Sequence, residues 1–199
     1  MSNAAPTKKV FIWVAHPRPQ SLCAALADAY QEGLAAQGAD VRRLDLASMR
    51  FSHAFDGYGA GAPVLEPDLV RWQAALAWAD HVMVIHPCWW GAMPTKAKAV
   101  LDRALSPGFG YKYHRRGMGW DKLLAGRTAD VIITSDTPPI IDTLIYGRSA
   151  RRVIKNQVLG FCGIKTRRVV QFGSVKLAKP GKIAQWLGQA RQMGQRAAA

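Results

Sequence analysis

The chain has 199 residues, of which 49% are hydrophobic and 20% charged, and its formal net charge is +14. Length and composition are those of one soluble globular domain, and no run approaches the roughly 18 apolar residues of a membrane-spanning helix. The positive charge favours anionic ligands, but lysine and arginine occur in small, scattered groups without a helix-turn-helix, zinc-finger or RNA-binding pattern. We therefore do not predict nucleic-acid binding.

The three cysteines, Cys23, Cys88 and Cys162, are far apart and form no CxxC pair. Their pattern indicates neither a disulfide framework nor a metal site. A reducing, cytoplasmic location fits this pattern. Residues 1–8 are predicted to be a disordered lead, and residues 9–199 are predicted to form a single domain.

The first predicted element is a central strand, because Lys9–Ala15 is a continuous apolar run. It leads into His16-Pro-Arg-Pro-Gln-Ser21, after which an alanine-rich amphipathic helix runs from Ser21 to Gln37. The first N–H groups of a helix are unpaired and lie at the positive end of its dipole, so a phosphate could dock at Gln20–Cys23. Alternatively, the serine only caps the helix and the histidine is an ordinary turn residue.

The next segment is predicted to lie toward the edge of a sheet. Ala39–Leu46 alternates well enough to form a second strand, and its charges favour an edge position. A glycine-rich connector, Ser52–Pro63, then leads to a helix over Glu66–Asp80 whose tryptophans are predicted to pack in the core. Three residues of the connector have side chains that can ligate metals but match no strong metal-site spacing: His53, Asp56 and Tyr58.

Strand, loop and helix follow one another again in the middle of the chain. His81–Ile85 predicts a strand buried on both faces, and Thr95–Leu105 is rich in helix formers. The loop between them, His86-Pro-Cys-Trp-Trp-Gly-Ala-Met-Pro94, carries two tryptophans. Loops at the carboxyl ends of strands bind ligands in open α/β sheets, so a binding loop and a core or oligomer contact are about equally favoured here.

The second half of the chain continues the alternation. Ser106–Asp121 is long, aromatic and aperiodic, which is typical of a functional loop. The later elements are a fourth buried strand, a mainly helical segment interrupted near Gly147, a fifth strand and a final helix, over Thr128–Thr134, Ile140–Leu159, Thr166–Phe172 and Pro180–Ala190.

This alternation predicts a parallel sheet with helices on both faces. Five units predict an α/β flavodoxin-like three-layer sandwich, with a five-stranded parallel sheet of order 2-1-3-4-5 and a switch point between strands 1 and 3. The loops after strands 1, 3 and 4 then meet at one crevice: Pro17–Cys23, Pro87–Pro94 and Ser135–Pro139. A phosphate-docking helix start beside an aromatic wall describes a flavin mononucleotide site best.

Three blocks of sequence carry a family resemblance. They are His16-Pro-Arg-Pro-Gln-Ser21, then Pro87-x-x-Trp90-x-x-x-Pro94 followed by Lys98 and Asp102-Arg103, and then Gly108-Phe109-x-Tyr111. In order and spacing the chain resembles the NAD(P)H:quinone oxidoreductase (DT-diaphorase) family of flavodoxin-like flavoproteins. That family includes the modulator-of-drug-activity proteins and the ancillary subunits of potassium efflux systems.

The resemblance implies that the first block holds the flavin phosphate and that the backbone of the loop after strand 3 lies along the isoalloxazine ring. Trp90 would flank the ring, and Trp89 would face the substrate or a partner chain. FMN is the expected cofactor, FAD is the alternative, and NAD(P)H is the cosubstrate. The predicted cofactor residues are His16, Gln20, Ser21, Leu22, Cys23, Pro87, Cys88, Trp89, Trp90, Gly91, Thr134, Ser135 and Asp136.

The chain departs from the family in two places. Cys23 stands where Asn or Thr is usual, so one phosphate hydrogen bond would come from the backbone alone. The strand 4 loop is Thr134-Ser-Asp-Thr-Pro138 instead of Thr-Thr-Gly-Gly. The family's active-site tyrosine and histidine have only positional candidates, Tyr146 and His114, so no catalytic residue is assigned.

The expected activity is two-electron transfer from NAD(P)H to a quinone or similar small acceptor, with ping-pong kinetics. The alternative is a flavin-binding regulatory subunit that docks on a membrane transporter or other partner. A one-electron flavodoxin carrier fits poorly, because such carriers are acidic and this chain carries +14. The resemblance also implies a homodimer in which the loop Phe109–Trp120 contributes to the partner's site; a self-packed surface flap is the other interpretation.

Overall fold

A computed structural model describes residues 7–58 and 64–199. Most of the predicted lead and the end of the glycine-rich connector lie outside these residues. The strands are β1 Lys9–Val14, β2 Asp40–Asp45, β3 His81–Pro87, β4 Tyr111–Tyr113, β5 Trp120–Lys122, β6 Thr128–Thr134 and β7 Lys165–Phe172. The α-helices are α1 Leu22–Ala35, α2 Pro67–Trp78, α3 Thr95–Ala104, α4 Pro139–Leu144, α5 Ser149–Arg152 and α6 Pro180–Ala198. A π-helical segment, Val153–Leu159, continues α5, and Val175–Leu177 forms a 3₁₀ turn.

Five parallel strands form the central sheet in the order β2-β1-β3-β6-β7. Counted along this sheet alone, the order is 2-1-3-4-5, so the predicted flavodoxin-like fold is confirmed. The register places Thr134 beside Pro87 on one side and beside Phe172 on the other. The carboxyl ends of β3, β6 and β7 therefore lie level at one edge, and the loops that leave them start side by side.

Two apolar layers cover the sheet. On one face α2, α3 and the π-helical segment bury a core in which Trp72 packs edge-on against Trp13, with ring centroids 5.3 Å apart. On the other face α1 and α6 pack so closely that a methyl group at Gly33 would collide with the carbonyl oxygen of Arg191. This packing keeps α1, whose first residues border the functional edge, at a fixed height on the sheet.

Three segments differ from the predictions. The segment 106–121 contains the β4–β5 hairpin, because Trp120 stacks on Phe161 at 4.6 Å and its Nε1–H donates to the Phe161 carbonyl at 2.9 Å. The helix after β6 is broken near Gly147, as predicted, but its second part is largely π-helical. The last helix extends eight residues further than predicted, to Ala198, because Met193 and later small residues continue its buried face. Among the described helices, none is long and apolar enough to cross a membrane.

A buried polar cluster lies at the opposite, amino-terminal end of the sheet. The ring of His81 is within hydrogen-bond distance of the Tyr30 hydroxyl, at 3.0 Å, and of Thr128 Oγ1, at 2.8 Å. The fully buried carboxylate of Asp130 lies 3.8 Å from the same ring. Burial, reinforced by nearby cations of which Arg167 is the strongest, lowers the pKa of His81 to about 3. The folded protein therefore holds this histidine neutral.

The fold should lose stability in mild acid through His81. The unfolded chain takes up a proton near pH 6.5, whereas the folded chain does not until about pH 3. The free energy of unfolding should therefore fall by up to about 1.4 kcal/mol per pH unit between about pH 6 and 4. His81→Gln keeps hydrogen-bonding groups but does not titrate. This variant should therefore lower the slope by the contribution of about one bound proton. Urea unfolding across this pH range measures both slopes; equal slopes would contradict the assignment.

Candidate active site

A cleft of about 350 Å³ lies at the carboxyl edge of the sheet, above β1, β3 and β6. The loops predicted to meet do meet here. The lining residues are His16, Arg18, Gln20, Ser21, Leu22, Cys23, Pro87, Cys88, Trp89, Thr134, Ser135, Asp136 and Val175. All of the predicted cofactor residues line the cleft except Trp90 and Gly91. Val175 was not predicted, because it follows the last strand and only the folded chain brings that strand's end beside β6.

Helix α1 begins at one end of the cleft. Its N-cap, Ser21, is extended at φ −147° and ψ 158°, and its Oγ accepts a hydrogen bond from Ala24 N at 3.2 Å. The N–H groups of Leu22 and Cys23 have no acceptor within the part of the chain that is described. No acidic residue occupies the first turn, and Arg18 lies nearby. This end of the cleft is therefore suited to an anion.

His16 adds a directed donor to the same end. Its Nδ1 accepts the backbone N–H of Arg18 at 3.0 Å, so in the neutral ring the proton resides on Nε2. Burial, and then the charge of Arg18, lowers the pKa of His16. Its ring also meets Trp89 edge-on, at a centroid distance of 5.6 Å. His16 thus joins the anion end of the cleft to its aromatic wall.

Thr134 connects the three loops. Its carbonyl oxygen accepts the N–H of Cys88 at 2.7 Å, and its hydroxyl lies 3.4 Å from the thiol of Cys23. Burial raises the pKa of Cys23 to about 11, so the thiol stays protonated. Because this thiol is turned toward Thr134, the backbone N–H is the group that Cys23 can offer to an anion.

The loop after β3 ends in a tight turn. Trp89 and Ala92 exchange two backbone hydrogen bonds, of 2.7 and 3.0 Å, around Trp90 at φ 52° and Gly91 at φ 78°. Positive φ at both central residues is the pattern of a type I′ turn. The turn keeps Trp89 at the cleft but projects Trp90 into solvent, fully exposed in the single chain. Its predicted place beside the flavin ring stays a prediction.

The loop after β6 is held against the end of β7. Ser135 N donates to the Phe172 carbonyl at 2.9 Å, and Val175 N donates back to the Ser135 carbonyl at 3.1 Å. A methyl group at Gly173 would lie 2.5 Å from the carbonyl oxygen of Thr137, so this junction requires glycine. Asp136 Oδ1 accepts the Lys176 N–H at 2.8 Å, which leaves one carboxylate oxygen for the cleft.

The two positional candidates for catalysis lie outside the cleft. Tyr146 is exposed after α4, and His114 sits in the hairpin, where its Nε2 lies 2.9 Å from Asp121 Oδ1. Neither is among the lining residues. Within residues 7–58 and 64–199, no three His, Cys, Asp or Glu side chains are grouped so as to hold a metal ion.

Comparison with known proteins agrees with this architecture. A family model described as the flavodoxin-like fold matches residues 8–193. The chain belongs to this family. This match, together with the similarity to a ribosyldihydronicotinamide dehydrogenase-like protein and to a quinone oxidoreductase, confirms the resemblance predicted from the sequence blocks.

Several known proteins are similar to the chain. The ribosyldihydronicotinamide dehydrogenase-like protein traD of Penicillium crustosum is 34% identical over 155 residues, which are 68% of this chain but only 57% of that protein. An uncharacterized NAD(P)H oxidoreductase of Haemophilus influenzae is 25% identical over 167 residues, 82% of each chain. The solved NAD(P)H:quinone oxidoreductase of Methanothermobacter marburgensis has a TM-score of 0.79 at 23% identity, covering 95% of this chain and 98% of that one.

The strain at Trp90 yields a stability prediction. A bulky side chain at φ 52° is unfavourable, whereas asparagine adopts this conformation readily, and Asn-Gly is the preferred type I′ pair. Trp90→Asn should therefore raise the free energy of unfolding by about 1 kcal/mol. Trp89→Asn, the matched control, should lower it because the contact with His16 is lost. Urea unfolding of both variants provides the measurement, and a destabilised Trp90→Asn would mean that the tryptophan has contacts that the single chain lacks.

Proposed function

We propose that the protein is a flavin-dependent NAD(P)H oxidoreductase that delivers two electrons to a quinone or similar small acceptor. The observation that carries the proposal is the cleft itself: unpaired helix N–H groups at one end and an aromatic wall beside it. The relatives named NAD(P)H oxidoreductase and quinone oxidoreductase support the same activity. A cytoplasmic location belongs to the proposal and suits three free cysteines.

The residues at the start of α1 fit a flavin phosphate. The N–H groups of Leu22 and Cys23, the Nε2–H of His16 and the exposed guanidinium of Arg18 are all donors, and anions bind such helix starts. The Ser21 hydroxyl oxygen accepts the Ala24 N–H and so caps the helix, and its own proton can still be donated to the phosphate. In this proposal the phosphate is held by backbone and side-chain donors together.

The rest of the cleft would hold the ring. Pro87, Cys88 and Trp89 form one side, and the loop Thr134–Asp136 forms the other. The N–H of Trp90 has no backbone acceptor among the described residues and would be the donor that this loop offers to a polar ring edge. Burial raises the pKa of the Cys88 thiol, with a smaller contribution from the Asp142 carboxylate, so the wall stays uncharged.

A bound flavin would supply the redox chemistry, a two-electron transfer from NAD(P)H to the acceptor, and the use of one site by both reactants implies ping-pong kinetics. The protein binds and orients it, and no side-chain acid or base is assigned. The net charge of +14 should speed the arrival of an anionic nucleotide.

FMN is the proposed cofactor, and one observation keeps FAD as the alternative. A groove of about 850 Å³ adjoins the cleft beyond Val175 and is lined by Lys179, Lys182 and Trp186 among others. Two lysines suit the phosphates of an adenosine diphosphate moiety. Determining the molecular mass of the flavin that the purified protein releases on heating distinguishes FMN from FAD.

A homodimer is the proposed assembly. Ile140, Leu144, Ile145 and Tyr146 follow β6 at the carboxyl edge of the sheet and are each more than half exposed. Such an apolar group beside the cleft suits a second copy that covers the site. The β4–β5 hairpin, which packs on its own chain through Trp120, stays a predicted contributor to the partner's site.

Turnover provides the direct test of the function. The protein should be yellow, and it should oxidise NADPH or NADH in the presence of a benzoquinone with parallel double-reciprocal plots. A protein that retains flavin but shows no acceptor-dependent turnover would contradict the enzyme and favour the regulatory subunit. A protein that neither retains nor rebinds flavin would contradict both.

The phosphate contact can be tested by deleting one backbone donor. Leu22 is the first residue of α1, where proline is tolerated, and Ser21 before it is extended, as proline requires. Leu22→Pro removes the N–H and the leucine side chain, whereas Leu22→Ala removes only the side chain. Leu22→Pro should therefore bind FMN about tenfold more weakly than Leu22→Ala, measured by quenching of flavin fluorescence. Equal affinities would contradict a phosphate at this position.

A further inference from the structure

Four polar side chains form a hydrogen-bonded chain that begins at the cleft and ends in a buried ion pair. The Oγ of Ser135, a residue that lines the cleft, accepts a hydrogen bond from Gln171 Nε2 at 3.3 Å. Gln171 Oε1 accepts from Arg151 Nε at 3.2 Å, and Arg151 Nη2 donates to Asp142 Oδ2 at 2.6 Å. The residues come from the loop after β6, from β7, from α5 and from α4. The Asp142 carboxylate is buried.

Arg151 determines the direction of every hydrogen bond in this chain. A guanidinium has donors only, so the amide oxygen of Gln171 must face Arg151 and its NH₂ group must face Ser135. Ser135 Oγ therefore receives a hydrogen atom from Gln171, and its own proton has to point elsewhere. If the Gln171 amide had the opposite orientation, its oxygen would face Ser135 and accept a hydrogen bond from the hydroxyl.

The proton of Ser135 has a weak internal acceptor. The Thr137 carbonyl oxygen lies 3.4 Å from Ser135 Oγ, well beyond the roughly 2.7–2.8 Å usual for O–H···O bonds. The same carbonyl already accepts the Ser174 N–H at 3.3 Å. A ligand oxygen or nitrogen in the cleft would therefore compete well for the hydroxyl.

We propose that Arg151 and Gln171 are positioning residues that make Ser135 a hydrogen-bond donor to the bound flavin. The inference rests on the proposed function and deepens it. A hydroxyl that itself accepts from a polarised N–H is a stronger donor. Such a donor is worth more to a ligand that carries negative charge, and flavin gains negative charge when it is reduced. This chain of hydrogen bonds from Arg151 through Gln171 to Ser135, the relay, therefore favours the reduced cofactor.

The effect of Arg151 on the Ser135 hydroxyl comes from the direction of the hydrogen bonds between them more than from the net charge of the ion pair. Asp142 neutralises Arg151, and the two side chains are 6% and 24% exposed, so the pair is mostly shielded from water. Gln171 transmits the orientation of the guanidinium over two hydrogen bonds. Loss of either Gln171 or Arg151 should therefore resemble loss of the Ser135 hydroxyl.

The test measures the midpoint potential of bound flavin and the affinities for oxidised and reduced FMN. Ser135→Ala, Gln171→Leu and Arg151→Met should each shift the potential to a more negative value. Each should weaken binding of reduced FMN about tenfold more than that of oxidised FMN. The combination of Ser135→Ala with Gln171→Leu should add nothing beyond Ser135→Ala. Arg152→Met, which removes the same charge from the next, exposed residue of α5, should leave the potential unchanged.

Two further variants separate this role from folding. Arg151→Met leaves the Asp142 carboxylate buried without its partner, so Asp142→Asn combined with Arg151→Met should fold better and show the same shift in potential. Arg151→Lys should restore part of the wild-type potential. If Ser135→Ala shifts the potential while Gln171→Leu and the combined variant behave like Arg152→Met, the relay is overturned and the flavin site stands. A wild-type protein that binds no flavin would overturn both.

Discussion

The hydrogen bond from the Cys88 N–H to the Thr134 carbonyl oxygen, 2.7 Å long, is the contact on which the site depends. It continues the pairing of β3 with β6 one residue past the end of β3, so the two loops leave the sheet in register. The hydroxyl of the same threonine contacts Cys23 near the start of α1 at 3.4 Å. Thr134 thereby helps to set the distance between the helix start and the aromatic wall, two parts that the contact of His16 with Trp89 also connects.

The protonation states of the cleft follow from its burial. His16 and the thiols of Cys23 and Cys88 are all held in their neutral forms, since burial lowers the pKa of the imidazole and raises the pKa of the thiols. At the start of α1, where no acidic residue occupies the first turn, neutral groups and unpaired N–H donors present a positive potential. A ligand that brings its own negative charge completes this arrangement, which is why a phosphorylated cofactor suits the cleft better than an uncharged one.

Much of this architecture was predictable because it depends on local patterns. Buried apolar runs such as β3 identified the strands. Because the carboxyl ends of parallel strands lie at the same edge of a sheet, the correct loops were predicted to meet there. The direction of Trp90 was not predictable, since a tryptophan has no preference for the positive φ that the type I′ turn imposes. The hairpin was missed because its three-residue strands are held by a distant partner, Phe161. The relay through Gln171 could not be predicted from the sequence either, because its members lie far apart in the chain and meet only in the folded protein.

The central claim is that the start of α1 binds a flavin phosphate, and it is tested most directly by titrating the flavin-free protein with FMN and with riboflavin. The two ligands share the ring and the ribityl chain and differ only in the phosphate. Two or three charge-assisted hydrogen bonds predict that FMN binds at least about a hundredfold more tightly, with an advantage that shrinks as salt is added. Equal affinities for the two ligands would contradict the account.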